Sequence, residues 1–99
     1  MKILAMEHEV PGVTAVQFAP HLAAEAAHLW QLYLDGVVRE AHFRADRKEA
    51  VLILECCTLD EARAVLGTLP LVEAGLITFE VIGLKPYAGF DRLFAAGEE

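Results

Sequence analysis

Two periodicities of apolar and polar positions run along this chain, and each change of period marks an element. Lys2 to His8 reads as a first strand, bounded by the turn signal Pro11-Gly12. Residues 9–19 read as a loop whose Val13, Val16 and Phe18 pack back on the body. Pro20 opens a helix, because its fixed φ suits a first turn. That helix runs to Leu34 and stops at Asp35-Gly36, where glycine supplies the C-terminal cap. Leu22, Ala26, Leu29, Trp30 and Tyr33 recur at helical spacing and form the expected buried stripe, with His21, Glu25 and His28 on another face. Val37 to Arg44 is a strand of mixed polarity, residues 45–49 a charged turn, and Ala50 to Cys57 a nearly continuous apolar strand, so the pair reads as a hairpin. Thr58 caps a second helix, with Glu61 three residues on completing a capping box. Its stripe is Leu59, Ala62, Val65, Leu66 and Leu69, and Pro70 ends it. After a turn at Gly75, Ile77 to Leu84 forms a fourth strand. Pro86 to Phe94 is an aromatic tail, and Ala95 to Glu99 is expected to fray.

The order strand, helix, strand, strand, helix, strand is the split βαβ, ferredoxin-like α+β pattern. Right-handed crossovers place strands one and three at the centre of an antiparallel four-stranded sheet, with both helices on one face. Strands one, three and four alternate too little for their other face to meet water. A second subunit pairing its sheet face to face would cover it, giving a dimeric α+β barrel.

Composition points the same way. The 99 residues form one expected domain, 1–99. With 56% hydrophobic residues and a mean hydropathy of +0.39, there is more apolar surface than one small core absorbs. The longest apolar run, Ala50 to Leu54, is far short of the ~20 residues a membrane span needs, and no signal peptide is read at the start. A self-associating, cytoplasmic homodimer without membrane contact is the expectation. The net charge is −7, with eight Lys and Arg scattered among fifteen acids, which argues against nucleic acid. Cys56 and Cys57 are adjacent, so on a strand they point to opposite faces and read as two buried free thiols.

Asp35-Gly36 followed by Arg39, Thr58 with Glu61-Ala62, Leu69-Pro70-Leu71 and the strand Phe79-Glu80-Val81-Ile82-Gly83-Leu84 resemble, in that order, the muconolactone isomerase branch of the dimeric α+β barrel superfamily. The resemblance spans residues 30 to 85 and, more weakly, strand one. The Ala- and His-rich first helix and the tail Lys85-Pro86-Tyr87-Ala88-Gly89-Phe90 depart from that branch. The superfamily also holds YciI-like proteins, small monooxygenases and heme enzymes, so the fold does not transfer a reaction. What the resemblance implies is proton transfer beside a lactone-type carbonyl, with no cofactor. A non-catalytic oligomeric protein that binds a small ligand, and a YciI-like hydrolase or dehydrochlorinase, are the alternatives. The last is disfavoured by the absence of a clear His-Asp pair from strand one.

Such chemistry needs a base with a raised pKa and a donor or cation for the enolate. Glu7, Glu40, Glu55 and Glu80 sit within or at the ends of strands, and Glu55 interrupts the central apolar run. His8, His42, Asp46 and Tyr87 complete the acid–base candidates, with Glu7, Glu55, His8 and His42 favoured. Arg39 and Arg44 suit a substrate carboxylate, Arg39 matching the arginine of the resembled branch. Five apart on one strand, they point to opposite faces. Tyr87, just after strand four, is a candidate substrate contact. His21, Glu25 and His28 share a helix face, read as solvated, and no metal is expected there.

Overall fold

The computed structural model describes residues 1–95. The expected fraying of Ala95 to Glu99 therefore falls almost wholly outside the described residues. The elements are β1 (Lys2–Glu9), α1 (Ala15–Phe18), α2 (Leu22–Leu34), β2 (Val38–Phe43), β3 (Ala50–Glu55), α3 (Leu59–Leu66), α4 (Pro70–Glu73), β4 (Ile77–Leu84) and α5 (Arg92–Ala95). One sheet has the order β2-β3-β1-β4, with every neighbouring pair antiparallel. Strands one and three are central, as the crossover argument requires.

Register sorts the side chains into two layers. Ile3 lies opposite Leu54 and Gly83, and Ala5 opposite Leu52 and Val81. These face the helices, where Ile3, Ala5, Val38, Leu52 and Leu54 pack with Ala62, Leu66 and Leu69. Fully burying one such aliphatic side chain contributes about 1.5–3 kcal/mol. By alternation, the other face of the sheet carries Leu4, Met6, Val51, Ile53, Ile82 and Leu84, which no helix among the described residues covers.

Capping explains where helices start and stop. Thr58 Oγ1 accepts the N–H of Glu61 at 3.0 Å, opening α3. Gly36, at φ 81°, turns the chain out of α2 into β2. Pro70 does more than end a helix. It also opens the single turn of α4 at the position where a missing N–H costs nothing.

Several expectations need correction. The stretch 9–19 contains α1, where Gln17 Oε1 accepts the Thr14 N–H at 2.8 Å. Val13 and Phe18 pack against Leu71, Leu76 and Ile77, but Val16 is exposed. The face of α2 is rotated, and of the expected stripe only Leu29 packs against the core, Ala26 being exposed. Leu29 and Leu32 reach the core, whereas Leu22, Trp30 and Tyr33 lie outside, Trp30 being 59% exposed and stacked on Tyr33. The helix is apolar on more than one side, so periodicity alone did not choose the inner one. Tertiary hydrogen bonds from its polar residues hold the observed face: Glu25 Oε1 accepts the Leu71 N–H at 2.9 Å, and His28 Nε2 meets Thr68 Oγ1 at 2.8 Å. Both cysteines are free, but Cys57 is exposed and only Cys56 buried, because β3 ends at Glu55. Tyr87, Phe90, Leu93 and Phe94 form an exposed apolar arm, and the molecule measures 63 × 29 × 21 Å.

Candidate active site

Glu7 follows Ile3 and Ala5 at alternate positions of β1, so its side chain points under the helices rather than to water. It is 8% exposed, between Phe79 of β4, its register partner, and the start of β3. Its Oε1 accepts a long 3.4 Å hydrogen bond from the Ala50 N–H. No cation among the described residues forms an ion pair with it. Burial pushes its carboxyl above the ordinary carboxylate value, and the nearby carboxylates of Glu25, Glu49 and Glu9 push it further, against the opposing Ala50 hydrogen bond. Glu25, from α2, is also raised by burial, partly offset by its bond to Leu71. A carboxyl of this kind is a stronger base than a solvated one once it has lost its proton.

Glu49, last residue of the β2–β3 turn, is 6% exposed. Its Oε2 accepts the Glu9 N–H at 2.9 Å and ties the turn to the end of β1. Its Oε1 is buried and receives no hydrogen bond. Arg47 and Arg44 stand 3.6 and 3.9 Å from it, near enough for charge but too far for a hydrogen bond. Beside it lies a cavity of about 360 Å³, between residues 9–13 and 47–49, with Arg47 and Lys48 in its wall. Its rim residue Glu9 is two positions beyond Glu7 on β1.

The other candidates lie elsewhere. Glu55 ends β3 in solvent, paired with the Met1 ammonium. That pairing holds its carboxyl below the ordinary range, so it is not a desolvated base. His8 and His42 lie on the uncovered sheet face. His8 Nε2 is 3.3 Å from Glu80 Oε1, and His42 Nε2 is 3.1 Å from Glu40 Oε1, both pairs exposed. Arg39 donates to the Gly36 carbonyl at 2.7 Å. Arg44 grips Asp46 through two bonds of 2.8 and 2.6 Å, which lowers the Asp46 carboxyl. A register shift between Val38 and Glu40 breaks the alternation on which the opposite-face argument for the two arginines rested. Tyr87 packs edge-on against Phe90 in the exposed arm. Lys2 pairs with Leu84 and His8 with Thr78, so Tyr87 lies past the end of the sheet opposite His8. Among the described residues, no three His, Cys, Asp or Glu side chains are grouped as a metal site. Of the favoured residues only Glu7 is desolvated. Glu49, Arg47 and Lys48 were missed inside a stretch that reads as a charged turn.

No family model matches the sequence, and no curated protein is similar to it by sequence. Solved structures are similar in shape. The 5-chloro-2-hydroxyhydroquinone dehydrochlorinase of Burkholderia phenoliruptrix, solved with 2,5-dihydroxybenzoquinone, superposes with a TM-score of 0.69 at 23% identity, over 86% of this chain and 94% of that one. A muconolactone isomerase superposes with a TM-score of 0.71 at 18% identity, over 89% of this chain and 94% of the other. Strand order, the one-sided helical layer and these superpositions give the chain the muconolactone isomerase fold, as the resemblance in its sequence implies.

Proposed function

We propose that the protein is a small-molecule enzyme that isomerises an acidic or lactone-type metabolite by proton transfer, with Glu7 as the base. The observation that carries this reading is the desolvated Glu7 carboxyl, held toward its neutral form two positions before Glu9 on the rim of a cavity whose charged lining is Glu9, Glu49, Arg47 and Lys48. In the proposed step, Glu7 takes a proton from the carbon next to a carbonyl. The electron pair moves into the conjugated system, the protonated Glu7 exchanges its proton with solvent, and it then delivers a proton to the far carbon of the shifted double bond. Atoms and charge balance without a cofactor. Arg47 and Lys48 supply positive potential for the transient enolate.

The test is isomerisation of muconolactone and related unsaturated lactones, followed by deuterium uptake from heavy water. Wild-type protein should incorporate deuterium, and Glu7→Gln should lose about 10²–10⁴-fold in rate. Full activity in Glu7→Gln, or no uptake by the wild type, contradicts this reading.

A second reading is favoured by the His8–Glu80 pair, a histidine–carboxylate contact between β1 and β4. It fits a dehydrochlorinase-type reaction with His8 as base. His8→Gln, rather than Glu7→Gln, would then abolish loss of chloride from a chlorinated hydroxyhydroquinone.

Either chemistry is proposed to run in a homodimer that buries Leu4, Met6, Val51 and Ile53 between two sheets. Sedimentation of the wild type as a monomer at micromolar concentration contradicts that assembly.

A further inference from the structure

We propose that the cavity between residues 9–13 and 47–49 binds a small hydroxycarboxylate, whose hydroxyl donates to Glu49 Oε1 and whose carboxylate is held by Arg47 and Lys48. The orphaned oxygen is the key. Glu49 is more than nine-tenths buried, and its Oε2 is occupied by the Glu9 N–H, yet Oε1 has no donor. Buried acceptors are nearly always hydrogen-bonded, so an unpartnered one beside a cavity marks a place for a donor. Arg44 and Arg47, at 3.9 and 3.6 Å, already supply positive charge but no hydrogen at bonding distance. What Oε1 lacks is therefore a hydrogen rather than a charge. A neutral hydroxyl meets that need, whereas an ammonium would enter against Arg44, Arg47 and Lys48.

The ligand's second feature follows from the wall. Arg47 lies 3.9 Å from Asp46 and Lys48 stands over the Phe43 ring at 5.8 Å, so neither makes a close hydrogen-bonded ion pair, and both line the cavity. They are available to an anion. A volume of about 360 Å³ sits at the lower end of the range for small-molecule sites. The proposal rests on the reading of Glu7 as the base only in placing the substrate's acidic end at this cavity. Binding is measured without turnover, so it stands or falls separately.

The experiment is calorimetric titration of the full chain with three matched pairs: lactate and propionate, malate and succinate, 3-phenyllactate and 3-phenylpropionate. At least one hydroxy acid should bind with a Kd near or below about 1 mM, at least tenfold tighter than its deoxy partner. Glu49→Met, similar in size but without a hydrogen-bonding group, leaves the ligand hydroxyl no partner at this position, so the preference for the hydroxy acid should vanish, with retained folding checked by circular dichroism. Arg47→Ala with Lys48→Ala should weaken both members of a pair alike. Equal affinity within every pair, which would mean that solvent satisfies Oε1, overturns the proposal, as does a hydroxyl preference that survives in a folded Glu49→Met. Absence of binding by all three hydroxy acids overturns it too.

Discussion

Replacing Glu7 by Gln should make the protein more stable at neutral pH, and the size of the gain follows from the surroundings of one side chain. Gln keeps the shape and an acceptor for the Ala50 N–H but removes the charge. In the wild type that charge is almost wholly buried, receives one 3.4 Å hydrogen bond and faces three other carboxylates. The folded carboxyl is raised above its ordinary value of 4.5. The folded state therefore holds a proton that the unfolded chain has released. Its contribution to stability is complete below the unfolded value and is lost as pH rises through the folded value, each unit of separation corresponding to about 1.4 kcal/mol. Gln is buried and polar too, so what Glu7→Gln recovers at about pH 8 is the cost of the charge alone, about 1.4 kcal/mol for each unit by which the folded carboxyl lies above its ordinary value. Below about pH 4 the difference between the two proteins should stop changing with pH, since Glu7 is then protonated in both states. The assay is urea unfolding at fixed protein concentration across this range. Glu55 and Asp46, whose carboxyls are lowered, titrate in both proteins and cancel in the difference. Parallel profiles, or a Glu7→Gln variant less stable than wild type at the alkaline end, would refute the argument that Glu7 is desolvated.

Leu54→Ala, at the centre of the core opposite Ile3, should cost about 2–5 kcal/mol in urea unfolding. Thr58→Ala removes the cap that accepts the Glu61 N–H and should cost about 1 kcal/mol, read in the same way. The pairing of Glu55 with the Met1 ammonium contributes stability above the ordinary carboxylate value and loses it as pH falls through the lowered folded value. Glu55→Gln should therefore flatten the acid limb of the stability profile and also the alkaline limb on which the raised Met1 ammonium titrates, leaving the slope unchanged only between about pH 6 and 7.

The sheet was legible because its signals are redundant. Right-handed crossovers, the apolar run of β3 and the polarity of β2 point to one strand order, and the order β2-β3-β1-β4 agrees with all of them. The face of α2 was not legible. Its stripe through Leu22, Trp30 and Tyr33 is apolar too, and the inward face joins the packing of Leu29 and Leu32 to contacts made only after folding, the Leu71 N–H donating to Glu25 and His28 meeting Thr68. The same limit governs the site. Glu55 drew attention because it interrupts an apolar run, yet its position at a strand end puts it in water. Glu7 could be placed under the helices by counting alternate residues from Ile3, since that count needs only the strand. Glu49 sits in a charged stretch, and its burial depends on how the β2–β3 turn folds against the end of β1. No local pattern reports that contact.

The most direct measurement is the carbon-13 carboxyl shift of Glu7 followed against pH in the folded protein, assigned by its disappearance in Glu7→Gln. A midpoint above the ordinary 4.5 is the expected result. A midpoint at or below that value would mean a solvated carboxylate, and would contradict Glu7 as the desolvated base of this site.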